Sequence, residues 1–127
     1  MFRCEMEPVA KARPRITRSG RTYTPAKTAN AETVLRTAMR KFAAGKSEFP
    51  LNVACHVTIN FFMKRPTSKK KAEHVTVRPD LDNYLKLVMD AGNGILWKDD
   101  SYVTKIVCSK AYADEKSHVS ISFDSIF

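Results

Sequence analysis

Phe2, Cys4 and Met6 alternate with Arg3, Glu5 and Glu7, and this period of two predicts a short half-buried strand. The alternation then lapses. From Pro8 to Pro25 the chain carries a further proline in Arg13-Pro14-Arg15 and the turn-like Ser19-Gly20-Arg21, which predict an irregular segment with room for one short hairpin. After Pro25 the spacing becomes helical, with Val34, Leu35, Ala38, Met39 and Phe42 forming an apolar stripe that ends near Gly45, while Arg36 and Arg40 fall on another face. Leu51, Val53, Cys55, Val57, Ile59, Phe61 and Met63 then alternate with Asn52, His56, Thr58 and Asn60, the clearest strand in the sequence and long enough for a central position. Residues 64–78 contain a run of lysines and few apolar positions, which predicts a mobile basic loop. A second helix begins at Pro79-Asp80, buries Leu81, Tyr84, Leu85, Val88 and Met89, and stops at Gly92-Asn93-Gly94. Two strands close the chain, over about 102–112 and 117–124, with a turn at Asp114-Glu115-Lys116 between them. The expected fold is α+β: a single domain over 1–127, one mixed β-sheet with two α-helices packed on it.

Composition supports one domain of this kind. The chain has 127 residues, 43% hydrophobic and 28% charged, enough to bury a core without a disulfide framework. Cys4, Cys55 and Cys108 are odd in number and widely spaced, so they predict packing residues in a reducing compartment rather than bridges or a zinc site. Acids at Glu5 and Glu7 interrupt any signal-peptide core, and no apolar run approaches the roughly 18 residues of a membrane span, so a cytoplasmic, unanchored protein is expected.

Charge changes the picture more. Twenty-two Lys and Arg against 13 Asp and Glu leave +9, which points to a polyanionic partner. The excess is divided unevenly. Residues 1–41 carry a net +7 and residues 64–78 a net +5, residues 79–100 reverse to −3, and the remaining stretches balance. Two basic tracts flank an acidic island. Lys11, Arg13, Arg15, Arg18 and Arg21 in the first tract, and Lys64, Arg65, Lys69, Lys70, Lys71 and Arg78 in the second, are the candidate phosphate contacts.

Inside the island, Asp80-Leu81-Asp82 opens the second helix. An N-cap role accounts for one aspartate, since Asp caps well and acids in a first turn meet the helix dipole favourably. It does not account for two. Asp82, Lys86 and Asp90 stand at i, i+4 and i+8, which places them on one helical face and is equally the pattern of a solvated ion-pair ladder. Asp99-Asp100 adds a second acidic pair beyond the Gly94-Ile95-Leu96-Trp97 connection, where the chain can fold back past the helix. Clustered carboxylates repel, and in a chain otherwise rich in cations a bound divalent ion rationalises them best. With oxygen ligands alone, Mg²⁺ or Mn²⁺ is the expected ion. An ion held by Asp against a polyanion suits phosphodiester hydrolysis, and Lys86 is placed to neutralise charge on the phosphate or leaving group. His56, His74 and His118 share no ligand spacing, no phosphate-cradling glycine motif is present, and Trp97 reads as a core anchor, with base stacking as the other role open to it.

Arg78-Pro79-Asp80-Leu81-Asp82-Asn83, followed by Lys86, Asp90-Ala91, Asn93-Gly94 and Trp97-Lys98-Asp99-Asp100-Ser101, resembles the signature of the RusA-like Holliday junction resolvases, and Lys11-Ala12-Arg13-Pro14-Arg15 with Tyr23-Thr24-Pro25 is similar to a weaker second motif. The resemblance implies a homodimer that binds four-way DNA junctions and, with Mg²⁺, makes paired symmetric nicks in recombination and repair. It implies that Asp80, Asp82 and Asp100 are the catalytic metal ligands, Lys86 the functional lysine and Asp90 a further acid needed near the site. Gly92 departs from the family's more usual apolar residue, and Tyr102 from its usual glutamine. Strand 51–63 or a helix face is the expected dimer contact. The reading that competes is a non-enzymatic branched-DNA-binding or architectural protein, which needs the cations but not the acids.

Overall fold

The computed structural model describes residues 1–12, 15–23, 25–69 and 71–127, with the backbone alone at 15 and 69. Arg13 and Lys70, and the side chains of Arg15 and Lys69, therefore lie outside the described residues. Strands β1 (Phe2–Glu5), β4 (Cys55–Met63), β5 (Val103–Tyr112) and β6 (His118–Ile126) form one sheet, helices α1 (Ala26–Ala43) and α2 (Leu81–Gly92) pack on it, and β2 (Arg15–Ile16) with β3 (Thr22–Tyr23) makes a separate small hairpin. The sheet order is β1-β6-β4-β5, with β4 and β5 parallel and the other pairs antiparallel. This is the expected α+β architecture. The parallel pair follows from α2 lying between β4 and β5 in the chain, because a helical crossover returns the chain to the same end of the sheet.

Alternation in β4 is realised residue by residue: Cys55, Val57, Ile59, Phe61 and Met63 are buried under the helices, and the residues between them are half-buried on the other face. That second face is polar, with Thr58 donating to Asp124 at 2.6 Å, Ser109 donating to Asn60 at 2.6 Å, and Phe62 stacked on His118. The strand begins at Cys55 rather than at Leu51. Leu51 instead pairs with the connection after α2, its N–H donating to the Leu96 carbonyl and its carbonyl accepting from Lys98, and Val53 is exposed. The apolar alternation runs through both stretches, so period alone does not reveal the change of partner. Because β4 lies between β6 and β5, both its hydrogen-bonding edges are occupied and a dimer contact through them is closed.

In α1 the buried stripe is Thr28, Ala31, Leu35 and Met39, with Ala38 and Phe42 partly buried. Val34, expected in that stripe, is exposed. Helix α2 buries Tyr84, Leu87, Val88, Ala91 and Gly92 most deeply, and Leu81, Leu85 and Met89 less so. Its apolar arc is wide because it meets the sheet on one side and α1 on the other. Cys4 and Cys55 are buried and Cys108 half-buried; burial raises all three thiols, Cys108 to about 11, which suits packing residues.

Gly92 closes α2 against Trp97. A Cβ there would lie 2.5 Å from Trp97 Cζ2 and 2.7 Å from Cε2. The indole is fully buried and its Nε1 donates to the Met89 carbonyl at 3.2 Å, so it has nowhere to retreat. Gly92 is thus the residue that fits this helix end. Gly92→Ala is expected to cost about 1–2 kcal/mol net, overpacking of about 1–3 kcal/mol outweighing a helix-propensity gain of about 1 kcal/mol. Urea unfolding would show this as a lower midpoint at unchanged slope.

Candidate active site

The acidic end of α2 is built from its approach. Lys110, in β5, donates its Nζ to the carbonyls of Val77 (3.0 Å) and Pro79 (3.1 Å), tying the Arg78-Pro79 approach to the sheet. Asp80 then occupies the N-cap with extended backbone (φ −70°, ψ 151°), and its carbonyl accepts from the N–H groups of Asn83 and Tyr84. Its side chain makes no capping hydrogen bond. The ordinary reason for an aspartate here is therefore absent, and the carboxylate is left exposed and uncommitted. Asp82, in the first turn, is also exposed and makes no hydrogen bond or ion pair among the described residues.

The second acidic pair divides its labour. The connection after α2 is folded back on the helix end by Ile95, Leu96 and Trp97 N–H groups donating to the Gly92 carbonyl and by Gly94 N–H donating to Trp97 O at 2.7 Å. Gly94 takes φ 77°, a backbone conformation that favours glycine. Asp99 follows as the cap of the short 3₁₀ turn Asp100–Tyr102, accepting from Ser101 N–H at 3.2 Å, and hydrogen bonding from the Ser101 side chain, then from its N–H, lowers the Asp99 pKa. Asp100 spends no side-chain oxygen on the turn and is half-buried. Of the two adjacent acids, the cap is Asp99 and the free carboxylate is Asp100.

Lys86 and Asp90 form the i, i+4 pair that spacing predicts, at 3.5 Å, with the lysine side chain 64% exposed. Asp90 is also 3.3 Å from Lys11, which in turn bonds Glu32 of α1. Lys11, a candidate phosphate contact from sequence, is thus held inside the chain: its backbone N–H donates to Asn83 O and its ammonium joins the N-terminal segment to both helices. Burial alone lowers the Lys11 pKa, but the hydrogen bonds and charges of Glu32 and Asp90 outweigh it and the net shift is upward. Replacing Lys11 with Met should cost about 1–2 kcal/mol, since it takes the cation from Glu32 and leaves Asp90 only the exposed Lys86. A raised pKa stabilises the folded state fully below the ordinary lysine value of 10.5 and loses that contribution as pH climbs through the folded value. The stability gap between wild type and Lys11→Met in urea unfolding is therefore expected at neutral pH and to narrow above pH 10.5.

Among the other candidate phosphate contacts, Arg18, Arg21, Lys64, Lys71 and Arg78 are exposed, the first two on the small hairpin. Arg65 lies over the Tyr112 ring at 4.8 Å and bonds the Ala72 carbonyl, and Val75 is buried, so the basic 64–78 segment has anchors on the body of the protein. His56, His74 and His118 do not join the acids; His118 stacks on Phe62 and His56 packs beside Phe127. Trp97 is a core anchor, as its spacing suggested.

Two residues that position the site carried no local signal. Lys110 reads as an ordinary strand cation, yet it fixes the approach to Asp80. Arg36 reads as solvated, yet its Nη1 donates to the carbonyls of Ala91 (3.0 Å) and Asn93 (3.2 Å), satisfying the end of α2 with a charge that also complements the helix dipole.

Among the described residues no three Asp, Glu, His or Cys side chains are drawn together as a metal site. The chemistry of the donor set nonetheless fits a hard divalent cation: Asp80, Asp82 and Asp100 have no partner among the described residues and offer only oxygen. Mg²⁺ is commonly bound by one or two carboxylates with water and substrate phosphate completing the shell, which an open set of this kind suits.

The fold and the acids together define a small basic α+β protein with uncommitted carboxylates and exposed cations. The family model described as "Endodeoxyribonuclease RusA" matches residues 5–123, and the chain belongs to that family. It is also similar to the "Uncharacterized protein YqaN" of Bacillus subtilis (strain 168), 46% identical over 55 residues, a stretch covering 38% of this chain and 39% of that relative. No helix is long and apolar enough to cross a membrane among the described residues.

Proposed function

We propose that the protein is a Mg²⁺-dependent, structure-selective endodeoxyribonuclease that resolves four-way DNA junctions as a homodimer, by paired symmetric nicks, in recombination and repair. Family membership supports nuclease chemistry on branched DNA. The observation that carries the catalytic assignment is that Asp80, Asp82 and Asp100 are free of partners among the described residues, while neighbouring Asp99 and Asp90 are engaged. Asp80, Asp82 and Asp100 would hold the cation. When bound, Mg²⁺ supplies the positive charge that polarises the phosphodiester and lowers the pKa of an attacking water.

The chain's own groups do the rest. Exposed Arg18, Arg21, Lys64, Lys71 and Arg78 hold phosphates on either side of the scissile one, so that binding weakens steeply with salt. Lys86, held on one side only by Asp90, meets charge building on the phosphate or the leaving oxygen. Lys110 and Arg36 keep the two ends of α2 in place, and with them the acids. Two like cuts across a junction require two sites related by a two-fold axis, which is the case for a homodimer. Mn²⁺ is expected to substitute for Mg²⁺, and the cytoplasm is the expected compartment.

One observation favours a DNA-binding role without cleavage, namely that no three ligands converge among the described residues. A denaturing gel separates the two readings. The purified protein is incubated with an end-labelled synthetic four-way junction and the matching linear duplex, with and without Mg²⁺ or Mn²⁺. Cation-dependent nicks in the junction and an intact duplex are expected; binding with no nick in either cation would establish the binder instead.

A further inference from the structure

We propose that a cleft beside Asp80 takes one unstacked nucleotide of the strand being cut, its base between apolar walls and its phosphates on the rim; this rests on the nuclease reading above. The cleft measures about 260 Å³ and is enclosed by the N-terminal segment, the start of α1, the end of β4 and the approach to α2. Tyr84 and Tyr112, both largely buried, are among its lining residues, with one face of the Tyr112 ring covered by Arg65. Lys27, Lys64 and Arg78 stand on its lining, all exposed, and their side-chain charges pair with no carboxylate among the described residues. Glu7 is the sole acid on that lining, and its carboxylate is fixed there by accepting from Lys64 N–H at 3.2 and 3.3 Å.

These features select the occupant. Apolar walls with aromatic rings suit the π-faces of a base, three unpaired cations suit the phosphates flanking it, and a carboxylate acceptor suits an amino group on a base edge. A volume of about 260 Å³ falls below the roughly 300–1,000 Å³ of pockets for larger ligands and leaves room for one base, not a stacked pair. Pro79 lines the cleft and Asp80 follows it directly, so a nucleotide held there delivers its phosphate to the acidic end of α2. A base enters only after leaving its stack, which costs least where pairing is already interrupted. Structure selectivity then has a local source, because an intact duplex does not present the base and a branch point does.

The test uses junctions carrying a single abasic site at each nucleotide within two of the cut. For wild type, one position is expected to lower kcat/KM roughly 10- to 100-fold, the range that loss of one base–aromatic stack corresponds to, and the others less than twofold. Val77→Phe crowds the cleft from a lining residue that is 43% exposed, so the fold tolerates it. This variant should cut the intact junction as slowly as wild type cuts the sensitive abasic one, and should be indifferent to the abasic site. Cutting of every abasic junction by wild type within twofold of the intact one would overturn the cleft assignment and leave the nuclease reading standing. Were no junction cut in Mg²⁺ or Mn²⁺, the nuclease reading would fall. The cleft is then judged by binding in EDTA to a junction with 2-aminopurine at the same positions: emission at one position should differ at least twofold between the wild-type and Val77→Phe complexes, and equal emission at every position would overturn it. Loss of sensitivity only to added free mononucleotide, with none to the abasic site, would assign the cleft to a small anionic ligand and overturn it equally.

Discussion

Asp80→Asn and Asp100→Asn should each slow junction nicking by about a thousandfold or more while leaving junction affinity unchanged or raised. Both substitutions keep the shape of the side chain and remove its charge. Among the described residues, neither carboxylate makes a capping hydrogen bond, pairs with a cation or accepts another hydrogen bond, so the packing seen there does not draw on that charge. The melting temperature should hold. Removing a negative charge from a surface that faces phosphate does not weaken attraction to it, whereas losing a cation ligand removes transition-state stabilisation, and a thousandfold corresponds to roughly 4 kcal/mol. Asp99→Asn is the internal control: Asp99 already spends an oxygen on Ser101 N–H, and its substitution should trim activity by less than about tenfold, mainly through the turn it caps. Single-turnover nicking rates and gel-shift affinities measured on the same preparations separate the two effects. Parallel loss of binding and cleavage in the Asp80 variant would assign the acid to the fold rather than to the chemistry.

Trp97→Ala should be the most damaging substitution for stability, at about 3–5 kcal/mol. The indole is fully buried, donates to Met89 O, meets the open face left by Gly92, and lies 6.5 Å from the Phe123 ring in an aromatic group that includes Phe42 and Phe49. Its backbone pairs with Gly94, and the residue after it with Leu51, so the same residue fastens the turn to the strand entry. A domain of this size has about 5–15 kcal/mol in total, and most of the margin would go. Thermal unfolding should fall by roughly 10–20 °C. Activity should fall with it, because Asp99 and Asp100 leave directly from this turn. Trp97→Phe, which keeps the ring packing and loses the hydrogen bond, should retain much of the stability; an alanine variant that melts like wild type would show that the turn is held by its backbone alone.

Much of the fold is legible in single segments. The alternation from Val57 to Met63 marks a strand covered on one face because α1 and α2 pack on that face alone, and the acidic pair at Asp80 with Asp82 is visible because it exceeds what one cap requires. The elements that rest on distant partners are not. Lys11 and Arg13 look alike as bases in a turn-rich segment, and only the approach of Glu32 from α1 and Asp90 from α2 turns Lys11 into a structural cation. Val34 fits a helical stripe as well as Ala31 does, but the stripe that packs runs through Thr28, Ala31, Leu35 and Met39 and leaves Val34 outside. Leu51 continues a strand pattern yet pairs with Trp97's connection, a choice of partner that alternation does not encode. In the site, the distinction between Asp99 and Asp100 is likewise absent from the dipeptide and appears only once Ser101 N–H is seen to turn towards Asp99.

A supercoiled plasmid carrying an extruded cruciform tests the central claim most directly, because it reports cleavage, branch selectivity and pairing of cuts in one gel. Incubated with the protein and Mg²⁺, it should pass to unit-length linear DNA, with both cuts at the cruciform base and little nicked circle accumulating, while a relaxed plasmid lacking the cruciform stays intact and EDTA stops the reaction. Equal cutting of both plasmids would contradict structure selectivity, nicked circle without linear product would contradict the paired sites of a dimer, and an untouched cruciform plasmid in Mg²⁺ and Mn²⁺ alike would contradict the nuclease itself.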